Sequence, residues 1–387
     1  MGEGRRIPFE KTKKAFIMKT THCSTSRRFF LGAALFAGAG FVTQAAAQAQ
    51  ERSYLIDLKS KTLTELRSPD GGQAHATAMN DAGQVVGFSY TPAGDKSAFI
   101  TGSDGAGVRK IDSLDGSSWA NDINSAGQVT GGSGSGAFIT GANGAGISIL
   151  SYFYEAHAIN DAGHVVSETS VPNSKYSVAV IAGPGIIGPD GPDGPGIREF
   201  GSLGGSSYAR DINNTGQVVG YSSPAPDDSF PTGFITGPEG YGMKDIGFGR
   251  VAEGINNAGQ VVGVTIGGTP FMTGPEGSGE RIFDNPGPGE FWGWANEIND
   301  AGQAVGSFYT SGDYHAFVTG PEGKGTTDLN SLLELPSGMI LREAVDINNA
   351  GQLIAIATVV PEPQSYVMLL TGLGLIGFMV RLRRVLI

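Results

Sequence analysis

Ile255-Asn256-Asn257-Ala258-Gly259-Gln260-Val261-Val262-Gly263 recurs in near copies from one end of the chain to the other. Its first Asn returns as Asn80, Asn124, Asn160, Asn213, Asn256, Asn299 and Asn348, at steps of 44, 36, 53, 43, 43 and 49 residues. Asn at the first position of a type I turn bonds the backbone two residues on, and Gly at the fourth position accepts a positive φ. Gly83, Gly127, Gly163, Gly216, Gly259, Gly302 and Gly351 stand at that fourth position. N-x-x-G between apolar runs therefore predicts a hairpin with a Gly bulge, and the Gln-Val-Val-Gly that follows alternates as a strand does. A turn used seven times reads as a structural joint.

A second unit alternates with the first. It appears as AFITG at Ala98 and Ala137, AVIAG at Ala179, GFITG at Gly233, PFMTG at Pro270 and AFVTG at Ala316, six copies against seven. The missing copy stands at the other end: Ser53-Tyr54-Leu55-Ile56-Asp57-Leu58, followed by Thr62-Leu63-Thr64-Glu65-Leu66, precedes the first Asn unit. Nothing like AFITG follows the last one. A linear solenoid gains nothing from this offset, whereas in a ring the two halves complete one sheet and remove its exposed edges. A period of roughly 43 residues holds four short strands, the size of one propeller blade. One repeat reads as strands over 233–236, 242–246, 252–255 and 260–265. The expectation is an all-β, seven-bladed β-propeller over residues 51–358, closed by its N- and C-terminal half-repeats; the alternative is a β-solenoid or an irregular β-sandwich array.

The ends are of a different kind. Read from Met18, the chain has basic residues, an apolar run over 29–42 and small residues at Ala45-Ala46-Ala47, the layout of a secretory signal over residues 1–47. Whether the chain starts at Met1 or Met18 is left open by the sequence. Ser26-Arg27-Arg28-Phe29-Phe30-Leu31 resembles the twin-arginine export motif, with Gly32 where that motif has Lys, and the resemblance implies a translocase that carries folded cargo. The alternative is an ordinary secretory signal holding Arg27 and Arg28 by chance. At the other end, residues 360–387 combine Pro361-Glu362-Pro363, an apolar run over 366–380 near the lower length limit for a membrane span, and Arg381, Arg383 and Arg384, expected to stay cytoplasmic. This order of parts resembles the PEP-CTERM sorting signal of exopolysaccharide-producing Gram-negative bacteria. The resemblance implies recognition by an exosortase, a membrane-anchored intermediate, and final placement at the cell surface or outside the cell.

Eight Lys/Arg and two Asp/Glu precede Gln48, and three Arg with no acid follow Pro363. The body between them carries 15 basic against 35 acidic residues, a net charge of −20. Phosphate backbones repel such a surface, which argues against nucleic-acid binding. The one cysteine, Cys23, lies in the export segment, so the mature body has no disulfide and must be held by packing and strand pairing. The repeat also resembles the HAF-type extracellular repeat, named for the triplet seen here as His315-Ala316-Phe317, over about residues 53–358. That resemblance implies location and fold rather than chemistry, and most copies lack the His.

Few motifs point to chemistry. Asn-Asp pairs such as Asn80-Asp81, Asn160-Asp161 and Asn299-Asp300 suggest calcium, but two adjacent side chains fall short of six or more oxygens. The pattern G-x-x-G-x-G at 102–107, 141–146 and 237–242 lacks the following helix that cradles phosphate, and reads as a tight connection. His75, His157, His164 and His315 are spread over three repeats, His157 and His164 flanking Asn160, and no G-x-S-x-G elbow is present. Gly188 to Gly196 has collagen-like spacing, too short for a triple helix, and reads as an inserted loop. Trp292 and Trp294 are candidate sugar contacts, with packing between blades as the alternative. The expectation is no cofactor and no enzyme: a surface or matrix protein that contacts exopolysaccharide. The rivals are a polysaccharide lyase or glycosidase using face carboxylates, and a sugar-, calcium- or ice-binding module.

Overall fold

The protein is described here by a computed structural model. It covers residues 49–360, apart from 71, 112–115, 171–175, 187–195, 224–229 and 290. The export motif, the PEP-CTERM residues and the collagen-like insert lie outside the described residues.

Seven four-stranded antiparallel sheets make a seven-bladed propeller. The inner strands of blades 1 to 7 are Ala74–Met79, Ser118–Ile123, Ala158–Ile159, Ser207–Ile212, Arg250–Ile255, Gly293–Ile298 and Met339–Ile347. Each runs into its Asn, turns through N-x-x-G, and returns as the second strand of the same blade; the AFITG unit is the third. The strands read from sequence in one repeat fall within a few residues of Thr232–Ile235, Lys244–Phe248, Arg250–Ile255 and Val261–Thr265.

Blade 7 is shared by the two ends of the body. Its sheet runs from Thr62–Glu65 to Gln50–Asp57, then Gln352–Val359, then Met339–Ile347. Eight register pairs, from Gln50 opposite Val359 to Asp57 opposite Gln352, join the first strand to the last. Leu55, Ile56 and Leu66 are buried there, so the N-terminal half-blade is core.

The apolar core lies between neighbouring sheets. Blade 1 contributes Val86, Ala98 and Ile100, and blade 2 contributes Ala120, Val129 and Phe138, to one continuous cluster. Alternation along the strands explains this packing: each sheet turns one residue set to one neighbour and the intervening set to the other. Phe99, Phe138, Phe234, Phe271 and Phe317, the Phe of five AFITG units, are fully buried. The Thr of the unit has a separate task. Thr101, Thr140, Thr236, Thr273 and Thr319 accept from the backbone N–H of Val85, Val129, Val218, Val261 and Ala304 at 2.8–3.0 Å, tying the third strand to the start of the second.

The N-x-x-G glycines all have positive φ, between 71° and 84°. At Gly216 an added Cβ would lie 2.7 Å from the backbone N of Glu239. Glycine is needed there twice, for the dihedral and for the close approach of the next loop. That loop is the G-x-x-G-x-G segment, a single 3-10 turn whose central residue (Asp104, Asn143, Glu239, Glu276 or Glu322) is itself left-handed.

Candidate functional site: the central channel and the aromatic face

The inner strands line a channel, and its lower mouth is built from the repeated Asn residues. The Asn256 carboxamide oxygen accepts from the N–H of Ala258 and Gln260, both at 3.0–3.1 Å, and so shapes its own turn. Its Nδ2 donates to Gln260 Oε1 and, across the blade gap, to the backbone O of Asn299 at 3.0 Å. The cross-gap bond repeats at every blade. Asn80 donates to Asn124, Asn124 to Asn160, Asn160 to Asn213, Asn213 to Asn256, Asn299 to Asn348, and Asn348 back to Asn80, at 3.0–3.2 Å. Seven buried carboxamides thus close a hydrogen-bonded circle.

The residue after the repeat Asn makes a second, exposed set of bonds across six of the seven blade gaps. The backbone N–H of Ser125, Asp161, Asn214, Asn257, Asp300 and Asn349 each donates to the side chain of the corresponding residue in the next blade, at 2.8–2.9 Å. The carboxylates of Asp81, Asp161 and Asp300 also accept from Asn349, Asn214 and Asn257 side chains. The Asn-Asp pairs are therefore engaged with neighbouring blades. Among the described residues, no group of three or more His, Cys, Asp or Glu is arranged to hold a metal ion. The histidines stay apart: His157 pairs with Glu168, His315 with Asp328, His164 reaches Pro184 O, and His75 stacks on Phe88.

Two residues before each repeat Asn, the channel wall carries Ala78, Asp122, Ala158, Asp211, Gly254, Glu297 and Asp346. Acid and small residue alternate around the ring, and an odd number of blades forces one failure, at Glu297 and Asp346. The alternation has a geometric cause. Asp122, Asp211 and Asp346 each accept from the N–H of the following residue and from an N–H on the next blade: Ile159, Ile255 and Met79, at 2.6–2.8 Å. A small residue beside each donating N–H leaves room for the incoming carboxylate. Glu297, whose next blade carries an acid, points the other way: an added Cβ on Gly254 would lie 2.8 Å from its Oε1. All of these residues except Gly254 line a cavity of about 320 Å³.

Burial pushes Asp122 up to about 6 and Asp211 and Asp346 up to about 7, with neighbouring carboxylates adding to the rise in all three. Burial also raises Glu297 well above the ordinary carboxylate range, with Asp211 and Asp346 adding to the effect. In the folded ring these groups keep protons at pH values where the unfolded chain, with Asp near 3.8, has lost them. The folded state binds more protons in that window, so their contribution to stability falls as pH rises from about 4 to about 7. The thermal midpoint is expected to be lower at about pH 8 than at about pH 5, with Asp211 alone costing on the order of 2 kcal/mol. Thermal melts of Asp211→Asn/Asp346→Asn at both pH values should show a narrower gap than the parent; an unchanged gap contradicts this role.

The opposite face of the ring is aromatic. Trp292, Tyr309, Tyr90 and Tyr154 are all exposed there, at the ends of strands remote from the Asn turns. Trp294 and Trp119 sit in matching Trp-Ala-Asn triplets. Trp119 Nε1 donates to Glu155 Oε1 at 2.6 Å, and Asn121 Nδ2 donates to the same oxygen and to Ala156 O, both on the chain entering blade 3. Trp294 and Asn296 repeat the arrangement on Glu343 and Ala344 of blade 7. Trp294 is thus a clamp between blades.

Two sets of residues escaped the sequence reading. The channel acids lie in the register position two before Asn, a pattern that aligning the seven repeats would have exposed. The cross-blade role of the Asn Nδ2 carries no local signal, because its partner lies 36 to 53 residues away along the chain or, at the closure, 268.

Residues 359–384 match the PEP-CTERM protein-sorting motif. The motif marks an exported protein processed by exosortase through a membrane-anchored intermediate. Curated proteins include no match to this chain. Similar solved structures are distant in sequence. The putative TolB from Agrobacterium tumefaciens is 7% identical, with a TM-score of 0.45 over 80% of this chain and 99% of that one. The β-propeller domain of the Trilobed protease from Pyrococcus furiosus is 11% identical, with a TM-score of 0.46 over 72% and 87%. A puromycin-hydrolyzing peptidase from Mycobacterium tuberculosis is 12% identical, with a TM-score of 0.47 over 71% and 48%. Identities this low assign no activity.

Proposed function

We propose that the protein is a non-catalytic component of the extracellular matrix, exported, cut by exosortase and placed on or beyond the cell surface, where it contacts exopolysaccharide. One observation carries this reading. Gln50 and Val359, the residues next to the export and sorting segments, are register partners at one edge of blade 7. Both end segments can be removed there without taking a strand from the ring. Closure also requires the last strands to be made before the first can pair, which suits the folded-cargo route suggested by Arg27 and Arg28. The resemblance to HAF-type extracellular repeats supports the same destination.

The channel carboxylates favour a structural over a hydrolytic role, since three of the four bridge to the next blade's backbone. The test is sorting. In a host with its exosortase, the parent is expected in the medium or surface fraction, and Pro361→Ala/Glu362→Ala in the membrane fraction. Equal release of both would overturn the reading. Release of reducing ends from polysaccharide by the purified protein, lost in Asp211→Asn, would favour an enzyme.

A further inference from the structure

A cavity of about 480 Å³ opens on the aromatic face between blades 5 and 6, within the size range of small-ligand sites, roughly 300–1,000 Å³. Its lining mixes apolar side chains, Trp292, Trp294 and Ile266, with polar ones, Glu253, Thr265 and Asn296. Trp292 and Ile266 are 52% and 55% exposed, and both line this cavity, so that two large apolar side chains face solvent at one place.

Trp292 is held rigidly for an exposed residue. Its carbonyl accepts from Tyr309 N–H at 2.7 Å, and the following Gly293 N–H donates to Gly268 O at 2.7 Å. The indole lies directly over Gly268, where an added Cβ would come within 2.0 Å of Nε1. Tyr309 and Tyr314, register partners across a hairpin, stand 6.3 Å from the indole by ring centroids. A large ring fixed in place before binding loses little entropy on contact.

Comparison of the two Trp-Ala-Asn triplets separates architecture from site. Trp119 and Trp294 make the same bonds to a Glu of the next blade, so their indoles belong to the clamp. Trp292 has no counterpart, since Ser117 occupies the matching place before Trp119. Asn296 spends its Nδ2 on Glu343 and Ala344, which leaves its Oδ1 as an acceptor at the cavity.

We propose that this shelf binds a neutral pyranose unit of a polysaccharide, with Trp292 stacking on the ring's C–H face and Glu253, Thr265 and Asn296 bonding its hydroxyls. The inference rests on the matrix reading above and names its contact site. The apolar platform beside polar groups matches the two-sided character of a sugar ring. Charge selects among sugars. No Lys or Arg is among the described lining residues, the one carboxylate (Glu253) is paired with Arg210 at 3.5 Å, and the body carries a net −20, so the long-range field disfavours uronates and sugar phosphates.

The test is affinity electrophoresis of the processed protein, purified from its host, through gels containing dextran, galactomannan or alginate. The parent should be retarded by a neutral glycan and pass freely through alginate. Trp292→Ala should weaken retardation at least about tenfold with an unchanged melting midpoint. Trp292→Phe should keep most of it, and Tyr154→Ala should match the parent. Retardation unaffected by Trp292→Ala would overturn this site and leave the matrix reading standing. Retardation by alginate alone, or by no glycan, or tighter binding of free choline than of sugar, would also overturn the site. Separate fractionation of the protein with the matrix of its own host decides the broader reading.

Discussion

Deleting residues 53–66 is expected to abolish cooperative folding of the whole ring. The segment forms half of blade 7, and it buries Leu55, Ile56 and Leu66. At roughly 1.5–3 kcal/mol for each large apolar side chain, their loss removes about 5 kcal/mol or more before any hydrogen bond is counted. The last strand also loses five of its eight register partners and becomes largely an open edge. Domains are stable by only about 5–15 kcal/mol, so the deletion consumes a large part of the margin or all of it. Urea denaturation followed by tryptophan fluorescence should show no cooperative transition, or one at far lower urea. A deletion mutant that melts like the parent would mean that the half-repeat is an appendage.

Asn256→Ala is expected to cost about 3 kcal/mol, the largest effect of any single side chain in the repeat turns. The change removes two acceptor bonds that shape the turn and two donor bonds, one of them to the next blade. The part-buried turn N–H groups lose their partner, and the buried carbonyl oxygen of Asn299 loses its cross-blade donor, an added penalty beyond the net worth of the bonds. Asn257→Ala is the control. Its side chain is exposed and its N–H still reaches Asp300, so a loss below about 1 kcal/mol is expected. Chemical denaturation of both variants decides the matter: equal losses would show that the buried circle of carboxamides is no stronger a tie than the exposed set of bonds.

The unequal count of two repeat units made the ring legible, and it held because closure is a global constraint that leaves a local trace at each end. The strands were legible because alternation and turn residues act over a few positions. The channel was not. Asp122, Asp211, Glu297 and Asp346 lie on four strands that only closure brings together, and in the sequence each is an ordinary acid before an Ile. The two tryptophans were equally opaque as neighbours in one loop. Their roles divide only when Trp294 is seen bonded to Glu343 and Trp292 is seen exposed over Gly268. Asn256 shapes its own turn, yet one of its four side-chain hydrogen bonds runs around the ring to a residue that local stereochemistry cannot indicate.

Amide hydrogen exchange of the processed protein tests closure most directly. If the N-terminal strand completes blade 7, the amides of Gln50–Asp57 that face the last strand should exchange as slowly as those of Gln352–Val359 and of the second strands in blades 1 to 6. Exchange of that strand at the rate of an unfolded chain, with the other blades protected, would contradict the closed ring.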